Sequence, residues 1–184
     1  MEVVLRGVRG SIAVPAPAMS FYGGNTSCVE LRSDNGALVF FDAGTGLRQA
    51  GESLPESGTC HLFISHGHTD HIQGLGFFPP LHSPRWTTHI YIPAWLEDVL
   101  DNHFAHGMFP IPFSDFAGNV VRHSLEPGDE VLANRLRALH ILGLRQGSAA
   151  RQRFAPQGST HRVGWRCRSL REGVGLHVLC CIAV

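Results

Sequence analysis

An apolar run at residues 60–65 (Cys-His-Leu-Phe-Ile-Ser) passes without a break into His66-Gly67-His68-Thr69-Asp70-His71. A short continuous apolar run reads as a buried strand. In extended chain, residues i and i+2 project to the same side, so His66 and His68 at the strand end present both imidazoles to one point. Asp70 keeps the same parity, Gly67 leaves space for close approach, and residues 72–78 have room for about two helical turns that bring His71 back to the same cavity. Neutral imidazole and carboxylate are good ligands for Zn2+ and also for Mn2+ or Fe, and the arrangement suits two adjacent cations. A metal lowers the pKa of bound water toward ~7, and a pair about 3.5–4 Å apart steadies both attacking and leaving oxygens, so hydrolysis is the natural chemistry. The competing reading is a polar surface loop whose imidazoles are satisfied by hydrogen bonds. Three His and one Asp within six residues, directly after a buried strand, disfavour it.

The flanking chain alternates strands and helical stretches, which indicates an α/β or α+β layered fold, the α/β class being the expectation. Residues 1–8 read as a first strand, and residues 10–24, with Pro15, Pro17 and Gly23-Gly24, as a loop. Residues 28–32 and 37–41 flank Ser33-Asp34-Asn35-Gly36, whose Asn-Gly step predicts a β-hairpin. Residues 47–51 begin a helical stretch. Residues 89–92 form a strand closed by Pro93, and Trp95, Leu96, Val99 and Leu100 place a helix over 94–103. Residues 109–116 are rich in Pro and aromatics and read as an irregular covering loop. Residues 120–124 and 130–141 offer further strands around a Pro127-Gly128 turn and a bend at Ala133-Asn134.

At 184 residues, 43% hydrophobic and 16% charged, the chain needs no metal merely to hold a core together, which makes any metal chemical. Residues 1–140 hold 8 Arg against 14 Asp or Glu, a balance of −6. Residues 141–184 hold 7 Arg against Glu172 alone, a balance of +6. There is no Lys, a bias that warns against reading every Arg as functional. Cys28, Cys60, Cys167, Cys180 and Cys181 form no paired metal spacing, and their odd number argues for reduced, buried thiols. No leader pattern and no stretch of ~18–20 apolar residues is present, so a cytoplasmic protein with no membrane contact is expected. Cys181-Ile182-Ala183-Val184 matches the loose C-a-a-X outline, but it ends in valine without a polybasic stretch and reads as an apolar terminus.

His66-x-His68-x-Asp70-His71 after an apolar strand resembles the signature of the metallo-β-lactamase superfamily of metallohydrolases. The likeness extends through residues 7–11 (Gly-Val-Arg-Gly-Ser), 22–28 (Tyr-Gly-Gly-Asn-Thr-Ser-Cys), 41–46 (Phe-Asp-Ala-Gly-Thr-Gly) and 65–74. These segments are similar to the branch holding phosphonate-pathway cyclic phosphodiesterases and tRNA 3′-processing ribonucleases, and they place a metallo-β-lactamase-like domain at 1–140. The resemblance implies an αββα sandwich of two similar halves. It also implies His66 and His68 on a first metal, Asp70 and His71 on a second, Zn2+ as the cofactor at one or two sites, and Asp70 as the catalytic group that helps orient water. Asp42 would lie beneath them, orienting the His loop, although Asp42 followed by Gly44 and Gly46 is also ordinary turn chemistry. Residues 23–27 could line a substrate entrance or be a plain turn. Phe109, Pro110, Pro112, Phe113 and Phe116 could cover the pocket or pack as core.

The pattern ends near His140, where the related branch has His-Pro-Gly-Gly and this chain continues His140-Ile141-Leu142-Gly143. Glu172 is the only carboxylate side chain after Ile141, so no bridging Asp arises there. His140, His161 and His177 are the substitute ligands available. The expectation is a sandwich incomplete in its second half, with 141–184 an atypical tail arising from a shifted reading frame, a truncated gene or a diverged short variant. Its function is then metal-dependent hydrolysis of a small cyclic or nucleotide-like phosphodiester. A long nucleic acid fits poorly with an acidic domain. The alternative is an inactive metal-binding or interaction protein, and exposed apolar strands would favour a homo-oligomer.

Overall fold

Five strands that run in one direction bring their C-terminal ends to a single sheet edge. The computed structural model describes residues 2–105, 107–126, 129, 131–133 and 136–137. Its main sheet has the order β1 (Glu2–Gly7), β2 (Cys28–Arg32), β3 (Leu38–Phe41), β4 (Gly58–Phe63), β5 (Trp86–Pro93) and β6 (Asn119–Leu125). β2 is antiparallel to both β1 and β3, and β3 to β6 are mutually parallel, so β1 shares the direction of β3 to β6. A separate two-stranded antiparallel ladder joins β7 (Leu132–Ala133) and β8 (Leu136–Arg137).

The hairpin forms where Asn35-Gly36 predicts it. Gly36 takes φ +84°, the left-handed region glycine enters without a Cβ penalty, and Ser33 N–H closes the loop on Ala37 O at 3.0 Å. The central strands β3, β4 and β5 place apolar side chains on both faces toward their C-terminal ends, while the edge strand β6 is largely exposed. On one face Phe40, Leu62, Ile64, Ile90 and Ile92 pack with Leu47 and Ala50 of α1 (Thr45–Gly51) and Leu100 of α3 (Val99–His103). On the other, Leu31, Val39, Phe41, Phe63, Tyr91 and Leu125 form a second cluster.

Two helical expectations need correction. The stretch expected as one helix over 72–78 is a single α-turn, α2 (Thr69–Ile72), followed by 3-10 turns at Leu75–Phe77 and Pro79–His82. Gly74 and Gly76 weaken helix propagation, and Pro79-Pro80 forbids it. The helix expected over 94–103 divides into a 3-10 turn at Ala94–Leu96 and α3, with Trp95 left 48% exposed. Within 109–116, Phe113 and Phe116 are buried against Phe104, so these two rings are core. Phe109 packs edge-on to Phe104, while Pro110 and Pro112 are exposed.

Cys28 and Cys60 are buried and unpaired, and burial pushes the Cys60 thiol up to about 12, so both behave as inert core thiols. Among the described residues no helix is long and apolar enough to cross a membrane. The Pro127-Gly128 turn, Asn134, His140, His161, His177, Glu172, the other three Cys and the whole 141–184 tail lie outside the described residues.

Gly74 marks where α2 meets the 42–46 loop. Its N–H donates to Ala43 O at 2.7 Å, and a Cβ there would sit 2.0 Å from Gly44 O. Gly74→Ala is expected to cost about 2–3 kcal/mol by overpacking. Urea unfolding measures it, and an unchanged midpoint would mean that the two loops separate freely.

Candidate metal centre

Asp42 organises the shared sheet edge. It follows β3 directly, adopts φ +60° and is 1% exposed. Asp tolerates the left-handed region better than most residues with a Cβ, and the payoff of this geometry is a carboxylate turned back under the loop after β4. Oδ1 accepts from Ser65 N–H at 2.9 Å and from Ser65 Oγ at 2.6 Å. Oδ2 accepts from His71 Nδ1 at 2.8 Å and, more weakly, from Ser27 Oγ at 3.3 Å.

These bonds set tautomers. The Ser65 hydroxyl has one proton and gives it to the carboxylate, so at 3.0 Å its oxygen accepts from His66 Nδ1–H. His71 likewise gives its Nδ1 proton to Asp42. In both rings Nε2 is left with a lone pair, the form a metal ligand requires. Burial, with His71 and His68 alongside, holds the His66 imidazole below its ordinary pKa and so neutral.

The four residues singled out after β4 are brought together. The His66 ring lies 4.4 Å from that of His68 and 4.1 Å from that of His71, centroid to centroid. Asp70 and His71 are buried at the start of α2, His66 is half-buried and His68 is exposed at the mouth. Asp70 Oδ2 accepts from Ser11 N–H at 2.7 Å and stands 3.4 Å from His71 Nε2. Gly67 lies tight against α3, where an added Cβ would meet Val99 Cγ2 at 2.7 Å.

Three imidazoles and a carboxylate, with no thiolate, suit a divalent cation. Among the described residues no three such side chains are already placed to hold one ion. The His66 ring adjoins both His68 and His71, and Asp70 lies beside His71. With its Nδ1 proton on Asp42, His71 turns a lone pair toward a carboxylate oxygen 3.4 Å away. Two acceptors at that distance repel unless a proton or a metal ion lies between them.

Sequence reasoning missed Ser65 and Ser11. Ser65 was visible as the one hydroxyl between the apolar run and His66. Ser11 contributes a backbone N–H at φ +66°, which no side-chain pattern reveals. Asn25 and Thr26 turn toward α1 instead of lining an entrance. Thr26 and Thr45 exchange N–H to Oγ1 bonds of 2.8 Å, and Asn25 Nδ2 donates to Gln49 at 3.1 Å.

Residues 21–149 match the family described as the metallo-beta-lactamase superfamily. No curated protein matches the chain. Among solved structures it is similar to a diphosphatase from the PhnP family, with TM-score 0.56 and 21% identity over 73% of this chain and 54% of that one. It is also similar to zinc-bound PqqB from Methylobacterium extorquens, with TM-score 0.49 and 16% identity over 71% and 51%. A third is the metallo-beta-lactamase fold protein YhfI from Bacillus subtilis, with TM-score 0.48 and 18% identity over 73% and 50%. The chain spans about half the length of these structures. With the family matched over most of its length and the first αβ layers formed as that fold requires, the chain belongs to the metallo-beta-lactamase superfamily.

Proposed function

We propose that the chain is a metal-dependent hydrolase of phosphodiesters, with His66 and His68 on one cation and Asp70 and His71 on a second, Zn2+ being the best match to the donor set. The observation that carries this reading is the convergence of His66, His68, Asp70 and His71 just after β4, with Asp42 holding His71 Nδ1 from behind. When bound, the cation supplies Lewis acidity and brings the pKa of water toward ~7. The protein's own residues do the rest. Asp42 and Ser65 hold the imidazoles of His71 and His66 in the tautomer that leaves Nε2 open. Ser11 N–H pins Asp70 Oδ2, so Oδ1 is the atom that can orient an attacking water and receive its proton. Exposed His68 places the reacting centre where substrate arrives.

A small phosphodiester is preferred over a long RNA because residues 1–140 carry a net −6, which repels a polyphosphate backbone. The diphosphatase among the structural neighbours lends support to phosphorus-ester chemistry. The second reading is an inactive metal-binding or interaction protein, favoured by the missing His-Pro-Gly-Gly and the lack of acids other than Glu172 after residue 141.

The test is metal per chain by elemental analysis, with turnover of bis(4-nitrophenyl) phosphate and a His68→Ala control. His68 is exposed, so its loss leaves the fold intact. Two metals in the wild type, at least one fewer in the variant, and a fall in turnover of about 100-fold or more are expected. No metal and no turnover in the wild type would establish the inactive reading.

A further inference from the structure

Arginine pairing in this protein is consistent, with one exception. Arg6 and Arg32 both bind buried Glu30, Arg48 binds Glu52, Arg85 binds Glu56 and Arg122 binds Asp101. Of the arginines whose side chains are described, only Arg9 lacks a carboxylate, and its Nε is buried without any hydrogen-bond partner. A buried donor left unpaired is costly, and a guanidinium raises the cost because it cannot shed its charge. Arg9 as a whole is only half-buried, so the rest of its guanidinium, with no acid of its own among the described residues, is open to an anion from outside the chain.

Its place in the fold says which anion. β1 runs in the direction of β3 and β4, so the chain leaves Gly7 at the edge where Asp42 and His66 stand. Arg9 is anchored there by its N–H to Asn25 O at 2.9 Å and by a bridge to Thr26. Two residues on, Ser11 N–H holds Asp70 Oδ2. Two residues of chain span at most about 7 Å, so the backbone that carries Arg9 lies beside the proposed cation pair. Between them, Gly10 faces open space, with no atom within 4 Å of where a Cβ would be.

We propose that Arg9 is the anion-binding residue of this site and takes the non-bridging oxygens of a substrate phosphate. The guanidinium presents parallel N–H donors that match two phosphate oxygens, and its terminal Nη groups, which unlike Nε are not shut off from solvent, are the ones a phosphate can reach. The reaction assigned to the anion rests on the phosphodiester hydrolase reading; the binding itself does not. In a domain of net −6, an arginine without an acid on the segment beside the site also selects for an anionic substrate over a neutral ester.

The experiment measures inorganic phosphate binding by the full-length protein after EDTA treatment, and KM and kcat for bis(4-nitrophenyl) phosphate on the metal-loaded protein. Wild type, Arg9→Met and Arg9→Lys are compared. Arg9→Met is expected to weaken phosphate binding by about 10- to 100-fold and to raise KM by a similar factor, with kcat changed little. Arg9→Lys keeps the charge and loses the fork, so it falls between, and it carries the test if urea unfolding shows that Arg9→Met is unfolded. Phosphate binding equal in all three proteins, or absent from the wild type, overturns the assignment. Arg9-dependent phosphate binding without any turnover leaves Arg9 assigned and sinks the hydrolase reading instead.

Discussion

Asp42→Asn is expected to keep the fold and lose the metal. Asn tolerates the φ of +60° at this position, but an amide has one accepting oxygen where the carboxylate has two. If that oxygen stays with Ser65, the amide N–H2 faces His71, whose Nδ1 must then accept, which moves the ring proton to Nε2. That tautomer cannot ligate. Zinc affinity should fall by about 10- to 100-fold, the range for losing a group that orients a metal-bound His. Long-range nitrogen–proton NMR reads the tautomer directly. Asp42→Ala should do more, because it strands Ser65 N–H, Ser65 Oγ and His71 Nδ1 and puts a Cβ residue with no side-chain compensation at positive φ. Removing one partner of a buried pair costs about 3–5 kcal/mol. Unchanged zinc affinity and tautomer in Asp42→Asn would show that Asp42 only makes a turn.

Acid should destabilise the protein through a second histidine cluster, His61, His89 and His123, on the sheet. In the sheet register Val39, His61, His89 and Val121 form one row, and Phe63, Tyr91 and His123 the next. His61 stacks on His89 with centroids 4.9 Å apart, its Nδ1 meets Tyr91 OH at 3.1 Å, and His89 Nδ1 lies 3.0 Å from His123 Nε2. Burial, followed by the neighbouring His89 and His123, pushes His61 down to about 4, while His61 Nε2 has no partner. The unfolded chain returns His61 to about 6.5, so between those two values the unfolded state binds more protons. Stability is complete above pH 6.5 and falls as pH drops toward 4. The loss reaches about 3 kcal/mol at most, from 1.36 kcal/mol per unit. His123, also held low by burial, adds to it in the same direction. Urea unfolding at pH 7, 6, 5 and 4 tests this, with His61→Phe for comparison. Equal pH slopes in the two proteins would rule out His61 as the source.

The candidate donor residues could be read from the chain because they lie within six consecutive positions, and the structure groups His66, His68, Asp70 and His71 just after β4. Strand parity is not what gathers them, since β4 ends at Phe63 and Asp70 and His71 stand on α2. The hairpin over 28–41 was legible for the same reason, since Asn35-Gly36 and its flanking runs act within a few residues. Residues 72–78 have the length for two helical turns but form 3-10 turns instead, because Gly74, Gly76 and Pro79 oppose helix propagation.

The sequence by itself determined the candidate donor residues, the strand that leads to them and the turn before β3, all governed by residue chemistry and backbone sterics over short spans. Only the tertiary structure decided that Ser11 N–H reaches Asp70 across 59 residues, that Asp42 locks the tautomers of His66 and His71, that His61, His89 and His123 stack, and that Arg9 alone among the described arginine side chains stands without an acid. Those contacts depend on strand order and register, and two chains with the same local patterns can pair their strands differently.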